Sequence, residues 1–93
     1  MRISVELFFP FRRELPEGRI ELELPPGADV EAAIRALVDR FPTLKGRLYD
    51  AQGRLQRFVS ALVNRTSVQS LQGYSTRLSD GDELTLLPPV GGG

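Results

Sequence analysis

The sequence predicts an α+β fold in which a mixed sheet curls over one main helix. Apolar and polar residues alternate over 2–9, 19–24 and 83–87, the period of a half-buried strand. One apolar stripe at helical spacing runs over 30–41. The segment between the first two strands has turn composition, so they form a hairpin, and an opening hairpin is incompatible with a doubly wound parallel sheet.

In the first strand Ile3, Val5 and Leu7 share one face, opposite Ser4 and Glu6. Continued alternation turns Phe8 outward; a bulge near Pro10 would turn Phe9 outward instead. Pro10 ends the strand, and Pro16, Glu17 and Gly18 make the turn into the second, whose inward residues are Ile20, Leu22 and Leu24. Glu21 and Glu23 share a face like a catalytic carboxylate pair, but no other polar residue type converges on them, and a solvated strand face accounts for both. Asp29 is the expected N-cap of the helix, Val30, Ala33, Ile34, Leu37, Val38 and Phe41 its stripe, and Pro42 its end.

Beyond Pro42 the pattern weakens. A short helical turn is expected over 44–48 and a tight turn over 50–53. Residues 58–63 read as a strand, with Asn64 and Arg65 starting a turn in which Asn64 tolerates left-handed backbone angles. A short strand is expected over 67–71. Asp80, Gly81 and Asp82 form a turn before the last strand, which lies beside the first; it points Leu84 and Leu86 inward, Thr85 and Leu87 outward. The acidic residues there lack the further oxygen donors of a hard-cation loop, and no metal is expected.

Ninety-three residues support a single core, and 41% hydrophobic with 26% charged residues is ordinary for a globular chain. Twelve basic and twelve acidic residues balance without a basic run, which argues against general nucleic-acid binding. Lys45 is the only lysine; the other eleven cations are arginine. The absence of cysteine and histidine removes thiol and imidazole chemistry and ordinary zinc or haem ligation. No apolar run approaches the ~20 residues of a membrane span and no signal peptide precedes the first strand, so a cytoplasmic protein is expected.

The chain is divided into a body, 1–87, and an extended tail, 88–93. Pro88 and Pro89 donate no backbone hydrogen bond and favour polyproline II, so the chain leaves the sheet there. At ~3.1 Å per residue the tail reaches roughly 18 Å, enough to enter a narrow cleft on a partner. Val90, Gly91, Gly92 and Gly93 end it, and glycines lie against a partner's backbone where larger side chains clash. The reactive group at the tip is the Gly93 carboxylate. A frayed end or the stub of a glycine linker is the other reading of these residues.

The stretch Phe9-Pro10-Phe11-Arg12-Arg13-Glu14, and above all Leu78-Ser79-Asp80-Gly81-Asp82-Glu83-Leu84 running into Pro88-Pro89-Val90-Gly91-Gly92-Gly93, resembles the MoaD/ThiS family of ubiquitin-like β-grasp sulfur carriers. The likeness covers nearly the whole chain. It implies that an E1-like adenylyltransferase uses ATP and magnesium to adenylate Gly93, that a sulfur donor converts it to a thiocarboxylate, and that the chain is a co-substrate rather than an enzyme. No cofactor is expected to be stably bound. Val90, Gly91 and Gly92 would be the tail contacts, and Phe8, Phe9, Arg13 and Leu87 the partner-docking residues. The Pro-Pro-Val ending and the 43–57 segment resemble the small subunit of molybdopterin synthase, whose large subunit would accept the tail. Residues 63–68 and 71–78 also resemble carriers for cysteine synthesis and archaeal-type protein modifiers, which leaves lysine conjugation open. The thiazole-pathway carriers of thiamine synthesis share the activation step, and a plain β-grasp binding module would need no free terminus.

Overall fold

A computed structural model of the protein describes residues 1–8, 18–55 and 59–87. They form five strands and two helices: β1 (Arg2–Leu7), β2 (Arg19–Glu23), α1 (Val30–Arg40), α2 (Lys45–Leu48), β3 (Ser60–Val63), β4 (Thr66–Ser67) and β5 (Glu83–Leu87). The sheet order is β2-β1-β5-β3-β4. Strand β1 pairs antiparallel with β2, as the hairpin required, and parallel with β5; β5 pairs antiparallel with β3. This is the mixed sheet expected from the alternation, with first and last strands adjacent.

Helix α1 begins where Asp29 accepts a hydrogen bond at Oδ1 from the Ala32 backbone N–H (2.9 Å), the N-cap expected from sequence. Its stripe of Val30, Ala33, Ile34, Leu37 and Val38 is buried. It shares one core cluster with Ile3, Val5 and Leu7 of β1, Leu22 of β2, Ala61 and Val63 of β3, and Leu84 and Leu86 of β5. Phe41 caps the helix, and Pro42 opens a 3-10 turn, Pro42–Leu44, that leads into α2. Leu44 and Leu48 are fully buried, so this segment belongs to the helix side of the sheet. At the following turn Asp50 Oδ1 accepts from the Gln52 and Arg54 backbone N–H groups, both at 2.9 Å.

Three sequence expectations change. Thr85 points to the outer face but is only 7% exposed. It sits on the central strand, in register with Glu6 on one side and Leu62 on the other, both half-buried, so a short side chain there is shaded by neighbours from both strands. The short strand expected over 67–71 stops at Ser67. The Ser67 hydroxyl accepts from the Gln69 backbone N–H (3.2 Å), which winds Val68–Ser70 into a 3-10 turn and buries Val68. The strand expected over 58–63 starts at Ser60, Phe58 lying outside the described residues.

The β3–β4 connection is a two-residue turn, Asn64 and Arg65, with Val63 and Thr66 paired across it. Both turn residues have positive φ, 50° and 72°, as a type I′ hairpin turn demands. Asparagine accepts that region readily; arginine does so at a cost, which makes Arg65 the strained position. Arg65→Gly should therefore raise unfolding free energy by about 0.5–1 kcal/mol, the relief of left-handed strain exceeding the added chain entropy. Urea denaturation checks this; a loss of stability would mean that the Arg65 side chain holds the hairpin.

Candidate docking face at the root of the tail

Strand β5 delivers the chain to its tail. It is held in register on both sides, Leu86 opposite Leu7 of β1 and Leu87 opposite Ser60 of β3. The acidic turn before it sets where it starts. Gly81 has φ +88°, and the Asp82 N–H donates to the Ser79 carbonyl (3.0 Å), closing a turn that needs positive φ at its third residue. The Asp82 carboxylate accepts from the Ser79 backbone N–H at Oδ2 (2.7 Å) and from Asn64 Nδ2 at Oδ1 (2.9 Å). Asn64 Oδ1 in turn accepts from the Glu83 N–H (3.0 Å), and Asp80 Oδ1 from the Arg2 N–H (2.7 Å). The Asp-Gly-Asp-Glu run is thus a clamp joining the start of β5 to β1 and to the β3–β4 hairpin. Among the described residues no group of three or more carboxylates is placed to hold a metal ion.

The outer face of the sheet is divided. Toward β2 it is charged: Arg2 pairs with Glu23 (3.2 Å) and Glu21 (3.8 Å), and Arg19 lies between Glu83 (3.4 Å) and Glu6 (3.7 Å). Glu21 and Glu23 are therefore members of an exposed ion-pair network, the solvated strand face expected from sequence. Such pairs contribute at most about 1 kcal/mol each. Toward the ends of β1 and β5 the face turns apolar. The Phe8 N–H donates to the Leu86 carbonyl (3.0 Å), which continues the parallel register and sets Phe8 beside Leu87. Phe8 is 47% exposed, one of two large hydrophobic residues so open among those described; the other is Leu71. Leu62, half-buried on the same face of β3, extends the patch; sequence reasoning did not single it out, although Ser60-Ala61-Leu62-Val63 alternates and points it outward.

Of the expected docking residues, Phe8 and Leu87 are brought together. Phe9 and Arg13 lie outside the described residues, as do Val90, Gly91, Gly92 and Gly93. Among the described residues two groups have shifted ionisation, Tyr49 and Tyr74. Burial pushes the Tyr74 hydroxyl above its usual range, and it donates to the Val59 carbonyl (3.1 Å). Burial also raises Tyr49, opposed by the Arg35 charge. No described helix is long and apolar enough to cross a membrane.

A strand hairpin, a helix packed beneath the sheet and a central last strand parallel to the first define the ubiquitin-like β-grasp class. The small archaeal modifier protein SAMP1 of Haloferax volcanii superposes with a TM-score of 0.87 at 27% identity, covering 100% of both chains. A chain from the BexX/CysO complex of Amycolatopsis orientalis does so with a TM-score of 0.78 at 32% identity, covering 98% of this chain and 99% of that one. The model of the ThiS family matches residues 7–93, and the chain belongs to that family. Curated relatives include small archaeal modifier protein 3 of H. volcanii, 32% identical over 100% of both chains. The sulfur carrier protein CysO of Mycobacterium tuberculosis is 38% identical over 72% of this chain and 74% of its own. The molybdopterin synthase sulfur carrier subunit of M. tuberculosis is 29% identical over 100% of this chain and 99% of its own.

The apolar end of the face yields a direct expectation. Phe8→Ala should leave the melting temperature nearly unchanged, because the ring packs little into the core, while weakening the binding of a protein docked on this face by about 2 kcal/mol, as for an aromatic interface anchor, with an E1-type enzyme as the trial partner. Calorimetric titration alongside thermal unfolding measures both. Unchanged affinity would move the docking surface elsewhere.

Proposed function

We propose that the chain is a carrier whose working group is the Gly93 carboxylate. An E1-type adenylating enzyme with ATP and magnesium joins the carboxylate oxygen to the α-phosphorus, expelling pyrophosphate. Sulfur at the sulfide level, delivered as hydrosulfide, then attacks the carbonyl carbon; the C–S bond forms, the C–O bond to AMP breaks, AMP leaves with the electron pair, and the terminus becomes a thiocarboxylate. The carrier supplies no catalytic group in this scheme; its part is to be gripped and to present its end. The observation that carries the reading is the exit of β5 at Leu87, beside exposed Phe8 and directly ahead of Pro-Pro-Val-Gly-Gly-Gly, in a chain of the ThiS family. The described chain therefore ends at the apolar face, six residues before Gly93. The apolar patch supplies binding energy and the glycines supply a side-chain-free thread into the partner's cleft.

For the acceptor, delivery of sulfur to the molybdenum-cofactor precursor through a molybdopterin synthase large subunit is the reading we adopt. It is supported by the Pro-Pro-Val ending and the full-length likeness to a molybdopterin synthase carrier subunit. The full-length likeness to an archaeal modifier protein favours a second: the same acyl-adenylate forms an amide with a lysine of a target protein. The CysO relative adds cysteine synthesis as another outlet for the same thiocarboxylate. All three share the activation step.

That step is tested at the tip. Deleting Gly93, or Gly92→Val, should abolish pyrophosphate release with the activating enzyme while leaving urea stability unchanged, because among the described residues the core cluster ends at Leu86. Undiminished release from the truncated chain would overturn the carrier reading.

A further inference from the structure

The chain carries one lysine, and its fold leaves that lysine as the one amine open to acylation. The α-amino group of Met1 donates to the Leu24 carbonyl at 2.7 Å and lies 3.5 Å from the Glu23 carboxylate. The Met1 carbonyl also accepts from the Leu24 N–H (2.8 Å), so the amine is part of the β1–β2 edge, and its acylation would remove the charge that meets Glu23 and place an acyl group against that edge. Every other cation is an arginine, whose guanidinium stays protonated and is no nucleophile. Lys45 differs on each count. It is exposed at the first position of α2, and among the described residues its ammonium has no ion-pair partner.

Its setting also suits an incoming chain end. Lys45 borders an open groove of about 290 Å³ with Arg35, Val38 and Asp39 of α1 and Tyr49 and Gly53 beyond α2. That is just under the ~300–1,000 Å³ of a drug-sized site, yet roomy for an unbranched glycine thread. The Arg35 guanidinium lies 6.0 Å from the Tyr49 ring centre, giving the groove a firm aromatic and cationic wall. Fully buried Leu44 and Leu48 fix this segment to the helix side of the sheet, whereas Phe8 and Leu87 face outward from the other. A copy held by its outer face therefore keeps its own Lys45 on the opposite side, open to the end of a second copy.

We propose that Lys45 is the acceptor of the activated carboxylate of a second copy of this chain, giving homotypic conjugates of a single linkage, Gly93 to Lys45. The inference rests on the amide-forming reading above. Lys45 Nζ, after losing a proton to solvent, attacks the carbonyl carbon of the Gly93 acyl-adenylate; the C–N bond forms, the C–O bond to AMP breaks, AMP leaves with the electron pair, and the remaining extra proton goes to solvent. ATP supplies the leaving group and nothing is oxidised or reduced.

The test replaces the chromosomal copy in the native cell by wild-type, Lys45→Arg or Gly93-deleted chain, with mass spectrometry of the isolated protein and pyrophosphate release measured in parallel on each purified chain with the activating enzyme. The expected result is a wild-type conjugate whose Lys45 bears the partner's glycine tail, absent from both variants, with pyrophosphate release intact in Lys45→Arg and lost in the deletion. Two results would overturn it: adenylation without any self-conjugate, or a self-conjugate that persists in Lys45→Arg. Loss of adenylation in the wild-type chain would instead refute the carrier reading itself, and this inference with it.

Discussion

The structure depends on β5 being central. A strand hydrogen-bonded on both sides fixes two registers at once, and here those registers align Leu84 and Leu86 with the apolar residues of β1 and β3 above α1. A one-residue slip would exchange Leu84 and Leu86 for Thr85 and Leu87 and dissolve the core. The clamp of Asp80, Asp82 and Asn64 on neighbouring backbone groups guards against that slip at the start of the strand. Each such bond contributes about 1 kcal/mol or somewhat more where the acceptor is ionised, so together they matter on the scale of a small domain's total stability.

The same register produces the functional asymmetry. Parallel pairing with β1 carries Phe8 past the end of its strand to lie beside Leu87, while Arg2 and Arg19 bridge four carboxylates, Glu6, Glu21, Glu23 and Glu83, on the β2 side of the face. The outer face is thus apolar beside Leu87 and ionic, with more carboxylates than arginines, toward β2. The acidic motif holds the start of the strand on which Leu87 lies.

Much of this was legible in the residues. Period-two alternation identified β1, β2 and β5, the helical stripe behind Asp29 identified α1, and continued alternation turned Phe8 outward. Other features depend on what lies across the sheet. Thr85 has the chemistry of an outward residue and becomes buried only because β5 has neighbours on both sides. Ser67–Leu71 has strand-like composition, and a single hydroxyl hydrogen bond diverts it into a 3-10 turn. Leu62 alternates like its neighbours but joins the docking face only through its pairing with Thr85. Residues 88–93, read from sequence as an extended tail, lie outside the described residues.

The central claim is that Gly93 is chemically modified in the cell. Mass spectrometry of the C-terminal peptide, taken from protein isolated under non-reducing, neutral conditions from its native cell, tests it most directly. The account predicts a fraction in which one carboxylate oxygen is replaced by sulfur, rising when the acceptor pathway is blocked. A terminus found only as the plain carboxylate, with neither sulfur nor an amide to another protein under any condition, would contradict it.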